Sequence, residues 1–366
     1  MRLSRLPSIE AAVRSAFSWT LVRLFGGRRR VPIPDWRARP YRLLVIRDDG
    51  IGDLMVSMEV LRAIKEASPT FTLDLLCSPQ NAPFGRTLPF VNEVIVHKRG
   101  FLLRAIPTWW RLRRRRYDVA IDGRVAIGNV NKQTTCLLLS TGAPWRIGIA
   151  GRRNDRVYSV PIHLPEIRHW IDAIVALALP FGIGGESRDW RAKLPFSPEE
   201  RASGNRMWDR VGKGRPRILV NVSSAQPDRQ WPLERFGPVL ARARERLPRA
   251  TIVISSMPEQ HEAAERLAAP VNATALRMSL PEATTVTATS DLVISPDTAI
   301  TVIASAFQVP ILALMRQGTT QWVPYRARGR AVFGDEPPTL VGLSSERVVA
   351  ALDELITELG PKSGWI

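Results

Sequence analysis

The sequence predicts an α/β protein of two doubly wound halves, each a parallel sheet covered by helices on both faces. Three observations predict it. From residue 42 onward, short apolar runs rich in β-branched residues alternate with segments of helical periodicity. The runs close on Gly, Pro, Ser or Asp turns, as strands feeding crossover helices do. A polar stretch at 186–216, holding Pro195, Pro198, Gly212, Gly214 and Pro216, separates two such series within 366 residues, a length suited to about two domains. The 45% hydrophobic content supports sizeable cores and excludes a disordered chain.

Residues 1–40 form a basic leader, nine arginines against Glu10 and Asp35, a balance of +7. Within it, 8–26 reads as an amphipathic helix in which Phe17, Trp19, Leu24 and Phe25 mix with arginines. That composition fits a membrane interface or a helix packed on the protein's own surface. Glu10, Arg14 and Arg23 interrupt the apolar patch, so it reads as an uncleaved segment and not a secretory signal. The first half, 41–185, opens with a strand at 43–46 and a helix at 56–67 stopped by Ser68-Pro69. Strands at 71–76 and 94–97 follow, then a helix at 101–116 and a strand at 119–121 ending at Asp122-Gly123. A helix across 128–139 and a short strand at 146–149 complete it. The linker region, 186–216, carries a helix at 198–211. The second half, 217–343, runs strand 218–222, helix 233–246, strand 251–255, helix 259–268, strand 292–294, helix 298–306 and strand 311–314. An amphipathic helix at 344–359 fills the last segment, 344–366.

The net charge of +18 favours anionic partners. A second basic block runs from Lys98 to Arg116 without an acid. Nucleic acid is not the expected partner, because no recognition motif or regularly interleaved aromatics accompany the charge. Cys77 and Cys136 cannot form a disulfide framework and read as small core residues in a reducing compartment. His97, His163, His169 and His261 are scattered, so no metal and no cofactor is expected. No stretch approaches the ~20 apolar residues of a membrane-spanning helix. Walker, GxGxxG and GxSxG motifs are absent, and Gly182-Ile183-Gly184-Gly185 lacks the strand context of a dinucleotide loop.

Three loops carry candidate chemistry. Arg47-Asp48-Asp49-Gly50-Ile51-Gly52-Asp53 follows the first strand and gathers three carboxylates where helical periodicity begins. A carboxylate there takes a proton from an attacking hydroxyl or caps the helix; Asp48 and Asp49 read as turn residues, and Asp53, after Gly52 where the helix begins, reads as a helix cap or a base. Asn221-Val222-Ser223-Ser224-Ala225-Gln226-Pro227-Asp228-Arg229-Gln230-Trp231-Pro232 sets hydroxyls, amides and a guanidinium at a strand end, which suits phosphate or an ordinary polar loop. Ser295-Pro296-Asp297-Thr298 opens a helix, as an anion site or a plain N-cap.

Taken together these loops resemble glycosyltransferase family 9, the ADP-heptose:lipopolysaccharide heptosyltransferases. The first loop, running on to Leu54-Met55, is similar to that family's amino-terminal strand and glycine-aspartate turn. Asp228-Arg229-Gln230-Trp231-Pro232 resembles its basic–tryptophan–proline segment. Arg277-Met278-Ser279-Leu280 with Ser295-Pro296-Asp297-Thr298 resembles its adenine and diphosphate region, and Gln317-Gly318-Thr319-Thr320 with Trp322 and Pro324-Tyr325 its closing loop. The resemblance spans about 42–334 and implies a GT-B fold, two Rossmann-like domains facing across a cleft. It implies an enzyme that moves heptose from ADP-heptose to a lipopolysaccharide core acceptor with inversion and without a metal. Asp53 then matches the general base and Arg229 a lysine that neutralises the departing diphosphate. Ser223 and Ser224 match phosphate contacts, Glu259 the ribose contact, Met278 the adenine contact, and Asp297 with Thr298 the diphosphate and transferred sugar. The implied partners are a nucleotide-sugar donor, an anionic glycolipid acceptor and the inner-membrane surface, which places the chain peripherally on the cytoplasmic face. Ala299 and Val302 stand where the family usually has a glycine and a histidine, and Arg229 replaces lysine. These departures leave two alternatives, a divergent enzyme using another nucleotide sugar and a non-catalytic scaffold of the same fold.

Overall fold

The computed structural model describes residues 30–98, 100, 102–125, 132–150, 157–164, 166–184 and 188–365, with Thr20 and Arg23 alone before them. Apart from those two residues, the helix expected at 8–26 lies outside the described residues. The chain divides into two compact units, Met1–Trp190 and Arg191–Ile366.

The first unit runs β1 (Arg42–Arg47), α1 (Ile51–Glu66), β2 (Thr72–Cys77), α2 (Ala82–Gly85), β3 (Glu93–Val96), α3 (Leu102–Arg114), β4 (Val119–Asp122), α4 (Lys132–Thr141), β5 (Trp145–Ile149), β6 (Val160–Ile162) and α5 (Trp170–Ala176). Its strands are all parallel, in the order β3-β2-β1-β4-β5-β6. Leu43, Leu44, Val45 and Ile46 are fully buried. Helices cover both faces of a parallel sheet, which is why β1 reads as an unbroken apolar run and not as an alternation. Helix α1 begins at Ile51, five residues before the periodicity suggests. Asp53 makes this possible: its Oδ2 accepts from the Gly50 amide at 3.2 Å, and its charge sits in the first turn of the helix. Ahead of β1, Trp36 stacks on Phe181 at 4.8 Å and donates its indole N–H to the Pro180 carbonyl at 2.7 Å. Tyr41, Phe71 and Trp145 crowd its edges, an aromatic cluster that closes this end of the unit.

The second unit runs α6 (Pro198–Val211), β7 (Arg217–Asn221), α7 (Phe236–Arg246), β8 (Thr251–Ser256), α8 (His261–Ala268), β9 (Thr274–Arg277), α9 (Leu280–Ala288), β10 (Leu292–Pro296), α10 (Ala299–Ala306), β11 (Ile311–Met315), β12 (Gly329–Phe333) and α11 (Ser345–Ser363). Its parallel order is β12-β11-β10-β7-β8-β9. A capping box between Ser197 and Glu200 starts α6, with Glu200 Oε2 accepting from the Ser197 amide at 2.7 Å. The expected helix from 233 is a 3-10 turn, Leu233–Arg235, followed by α7.

Both sheets share one topology. Counted from its own first strand, each has the doubly wound order 3-2-1-4-5-6, with the chain reversing direction across the sheet between β1 and β4 and between β7 and β10. Connections leaving such a pair go to opposite faces and open a crevice at the carboxyl ends of the strands.

The second core centres on Trp231, fully buried and T-shaped against Phe236 at 4.6 Å. Its Nε1 donates to the Leu343 carbonyl at 2.9 Å, an oxygen that also accepts from Arg235 Nη1 at 2.6 Å. Trp231→Ala is expected to destabilise this unit by about 3–5 kcal/mol. Trp231→Phe should cost less, since the Leu343 carbonyl keeps Arg235. Urea midpoints ordered wild type, Phe, Ala would bear this out, and equal midpoints for wild type and Ala would refute it.

Candidate functional site

At the carboxyl edge of the first sheet the organising group is Arg47, the last residue of β1, whose side chain is fully buried. Its guanidinium donates to the Asp53 carbonyl through Nη2 at 2.7 Å and Nε at 3.2 Å, and through Nη1 to the Gly123 carbonyl. The same group lies 3.1 Å from Asp49 Oδ2 and 4.0 Å from Asp53 Oδ1. A buried charge needs this many partners. They tie the end of β1 to the first turn of α1 and to the turn after β4. Gly123 is required there, because a Cβ would come within 2.9 Å of the Ile46 carbonyl oxygen. Asn81 fixes the loop from the other side, its Nδ2 donating to the carbonyls of Asp49 at 2.9 Å and of Arg47 and Gly50 at 3.3 Å.

The three carboxylates of this loop occupy different environments. The Asp48 side chain is buried with Arg124 Nε 3.5 Å away, a pair that spans the β1–β4 reversal. Asp49 is 20% exposed, and its Oδ1 is shielded without a hydrogen-bond partner. Burial pushes its carboxyl up to about 6, with Asp53 adding to the rise and Arg47 and Arg124 opposing it. Asp53 is 34% exposed, the most accessible of the three that Arg47 or Arg124 touches. Behind them Asp122 accepts from the Tyr158 hydroxyl at 2.6 Å, and full burial raises its carboxyl.

In the second unit Asn221, at the end of β7, is the hub. Its Nδ2 donates to the Ser223 carbonyl at 3.1 Å, to Ser295 Oγ at 3.0 Å and to Thr298 Oγ1 at 3.2 Å. This amide thus bridges the β7–β10 reversal. Thr298 caps α10, its hydroxyl accepting from the Ile300 amide at 3.3 Å. Ser223 Oγ accepts from the Met257 amide at 2.8 Å, and the Ser224 amide donates to Gln230 Oε1 at 2.9 Å. Arg229 Nη1 meets Asp297 Oδ2 at 3.2 Å and donates to the Asp297 carbonyl at 3.4 Å.

The structure therefore gathers Ser223, Ser224, Arg229, Asp297 and Thr298 around one crevice. Glu259 is exposed in the turn after β8, and Met278 is half-buried just after β9, so both stand at the same carboxyl edge further along the sheet. Asp53 belongs to the first unit. Sequence reasoning gave no role to Arg47, Asn81, Arg124 and Arg316 at these edges; for Arg47 and Arg316 the available signal was a charged side chain directly at a strand end. Among the described residues no group of three or more His, Cys, Asp or Glu could hold a metal ion.

Part of the basic block at α3 is engaged inside its own unit. Arg111 and Arg115 pair with Glu93, Arg115 lies 3.6 Å from Asp74, and the Arg113 guanidinium occupies the space a side chain at Gly142 would need. Trp109 is half-buried against the core, whereas Trp110 is 63% and Ile106 37% exposed.

Comparison with known proteins follows this geometry. The family model for glycosyltransferase family 9 (heptosyltransferase) matches residues 107–346. The lipopolysaccharide core heptosyltransferase OpsX of Haemophilus influenzae is 20% identical over 291 residues, covering 77% of this chain and 81% of that protein. The structure of E. coli ADP-heptose lipopolysaccharide heptosyltransferase II is similar with a TM-score of 0.65 at 19% identity, over 87% of this chain and 99% of that one. E. coli heptosyltransferase WaaC, solved with ADP-2-deoxy-2-fluoro heptose, gives 0.64 at 17% identity, over 86% and 99%. These two structures share the GT-B fold with this chain.

The raised Asp49 carboxyl has a measurable consequence. Its folded value of about 6 exceeds the ordinary 3.8, so the folded form holds the proton more tightly than the unfolded chain. The resulting stability is complete below the unfolded value and is lost as pH rises through 6. Asp49→Asn removes that loss. Relative to wild type, the variant should gain roughly 1–3 kcal/mol between pH 4 and pH 7.5. Melting curves at the two pH values check this, and a pH-independent difference between the proteins would sink it.

Proposed function

The chain belongs to glycosyltransferase family 9 and is a glycosyl-transferring enzyme, and we propose that it moves a heptose or related sugar from an ADP-sugar to a lipopolysaccharide core or similar anionic glycolipid acceptor. The observation that carries this reading is the Asn221-centred crevice, where two serines, a threonine-capped helix start and a guanidinium converge at a strand reversal. Such a set suits a diphosphate. The names of the relatives supply the nucleotide and the acceptor class: an ADP-heptose enzyme, a structure solved with an ADP-sugar and a lipopolysaccharide core enzyme.

Asp53 is the base in this reading. It reaches solvent at the β1 edge and is held by its bond to the Gly50 amide and by Arg47. As the acceptor oxygen forms its bond to the anomeric carbon, Asp53 takes the hydroxyl proton and the bond from that carbon to the diphosphate oxygen breaks. One displacement inverts the anomeric centre. ADP leaves with the electron pair, and Arg229, together with the α10 amides, stabilises the charge that develops on it. Ser223 and Ser224 hold phosphate oxygens, Glu259 the ribose and Met278 the adenine, while Asp297 and Thr298 orient the diphosphate and the transferred sugar. The guanidinium and the backbone dipoles give this scheme its countercharge, so it uses no metal. Ala299 and Val302, in a helix start that otherwise fits the donor, favour a second reading in which the base or sugar of the donor differs.

Release of ADP from ADP-heptose in the presence of core acceptor tests the assignment. Asp53→Ala should lower kcat by about 10²–10⁴-fold with ADP affinity retained, whereas Arg229→Ala should weaken ADP binding as well. Normal turnover by Asp53→Ala would remove it from the mechanism. A wild-type chain that responds to UDP-sugars and not to ADP-sugars would establish the second reading.

We also place the enzyme peripherally on the cytoplasmic face of the inner membrane. Among the described residues no helix is long and apolar enough to cross a bilayer, and the support is the charge of +18 with Trp110 and Ile106 exposed on α3. Flotation with vesicles should show binding to anionic but not zwitterionic lipid, weakened by Trp110→Ser and by high salt. Equal recovery with both vesicle types would refute it.

A further inference from the structure

We infer that Arg316 is a second contact for the donor diphosphate, working beside Arg229 at the carboxyl edge of the β7–β12 sheet. The inference rests on the proposal that this edge takes a nucleoside diphosphate sugar, and adds to it the residue that counts phosphates.

Arg316 directly follows β11, and its carbonyl is fixed by the Thr319 hydroxyl at 2.7 Å. Its Nη1 pairs with Asp228. Asp228 is the chain neighbour of Arg229, whose own guanidinium pairs with Asp297. The loop after β7 therefore sends an acid to the end of β11 and a base to the end of β10. Because β10 lies between β7 and β11 in the sheet, the two pairs straddle the start of α10, where Thr298 caps the helix.

Two features separate this arrangement from an ordinary pair of surface ion bridges. Arg229 Nε and Arg316 Nε are both shielded from solvent and have no hydrogen-bond partner. An unsatisfied buried donor is unfavourable, and a guanidinium in that condition gains from turning both faces of its fork toward one multivalent acceptor. The pairs that now hold the two groups are also weak, being partly exposed: the Asp228 side chain is 42% accessible and that of Arg229 32%. Exchange of a part-exposed carboxylate for a phosphate oxygen is then favourable, and Asp228 is the partner that the phosphate displaces from Arg316. A diphosphate offers an oxygen-bearing phosphorus to each arginine, whereas a monophosphate satisfies only one.

Calorimetric titration of the full chain with ADP, AMP and inorganic diphosphate tests this. Arg316→Ala should lower ADP affinity by about tenfold or more while changing AMP affinity by less than about twofold, because one bidentate contact is lost. Arg316→Lys should fall between, keeping charge without the fork. Asp228→Asn, which releases Arg316, should not weaken ADP. Equal loss for ADP and AMP in Arg316→Ala, or the same loss in Asp228→Asn as in Arg316→Ala, would mark a structural tether and overturn the inference. Unchanged ADP affinity in Arg316→Ala overturns it too, leaving the donor reading standing. A wild-type chain that binds none of the three probes overturns both.

Discussion

The reversal of strand order beside β1 and beside β7 is the constraint on which the rest of this molecule depends. At each reversal two neighbouring strands send their connections to opposite faces, and one polar side chain at the end of the first strand ties those connections together. In the first unit that is Arg47, bonded to the carbonyls of Asp53 and Gly123. In the second it is Asn221, bonded to Ser223, Ser295 and Thr298. The choice differs with the electrostatics of the edge. A buried guanidinium suits an edge carrying Asp48, Asp49 and Asp53, and a neutral amide suits an edge of hydroxyls, Ser295 and Thr298, to which it donates without adding charge.

The same logic separates charges that build the fold from charges left part-exposed at a sheet edge. Asp74 is buried with Arg42 at 2.8 Å and the Tyr117 hydroxyl at 2.8 Å, and Glu93 takes up Arg111 and Arg115. Removing one member of such a set strands the others. The pairs at the second sheet's edge, Arg229 with Asp297 and Arg316 with Asp228, are part-exposed and leave guanidinium donors unmet. A net charge of +18 is therefore a poor guide by itself. What matters is which arginines hold spare hydrogen-bonding capacity and where along a sheet edge they stand.

Much of the fold was legible because buried parallel strands have an unmistakable composition: the runs at 43–46 in β1, 218–220 in β7, 292–294 in β10 and throughout β11 are apolar and buried. Of the edge strands only β3 was legible. Val160–Ile162 is short and holds Pro161, Thr274–Arg277 is half-buried, and Gly329–Phe333 begins with exposed Gly and Arg, so none carries a core strand's pattern. Helix α9 hides for a different reason, since Thr284, Thr285, Thr287 and Thr289 suppress the usual helical composition, and its start depends on the Ser279–Glu282 capping box. The three candidate loops were visible as loops, because strand ends followed by Asp, Ser and Gly are local signals. Their internal division was not, since Arg47 and Asn81 act on the first loop through contacts that the linear spacing does not encode.

That division also explains why three aspartates within six residues are chemically unlike. Asp48 lies beneath the loop against Arg124, across the strand reversal, and its side chain is fully buried. Asp49 is drawn inward by Arg47 and keeps one shielded oxygen unpaired, so burial holds its proton to about pH 6. Asp53 is placed by the helix it begins: at the third position of α1 the backbone geometry turns its side chain back toward the Gly50 amide and out to solvent. Only this carboxylate combines an accessible position with a fixed direction, the two properties a proton acceptor needs. The Asp53–Gly50 hydrogen bond at the early start of α1 thus also fixes the direction of this carboxylate. Helix initiation and the aim of the Asp53 side chain come from one hydrogen bond.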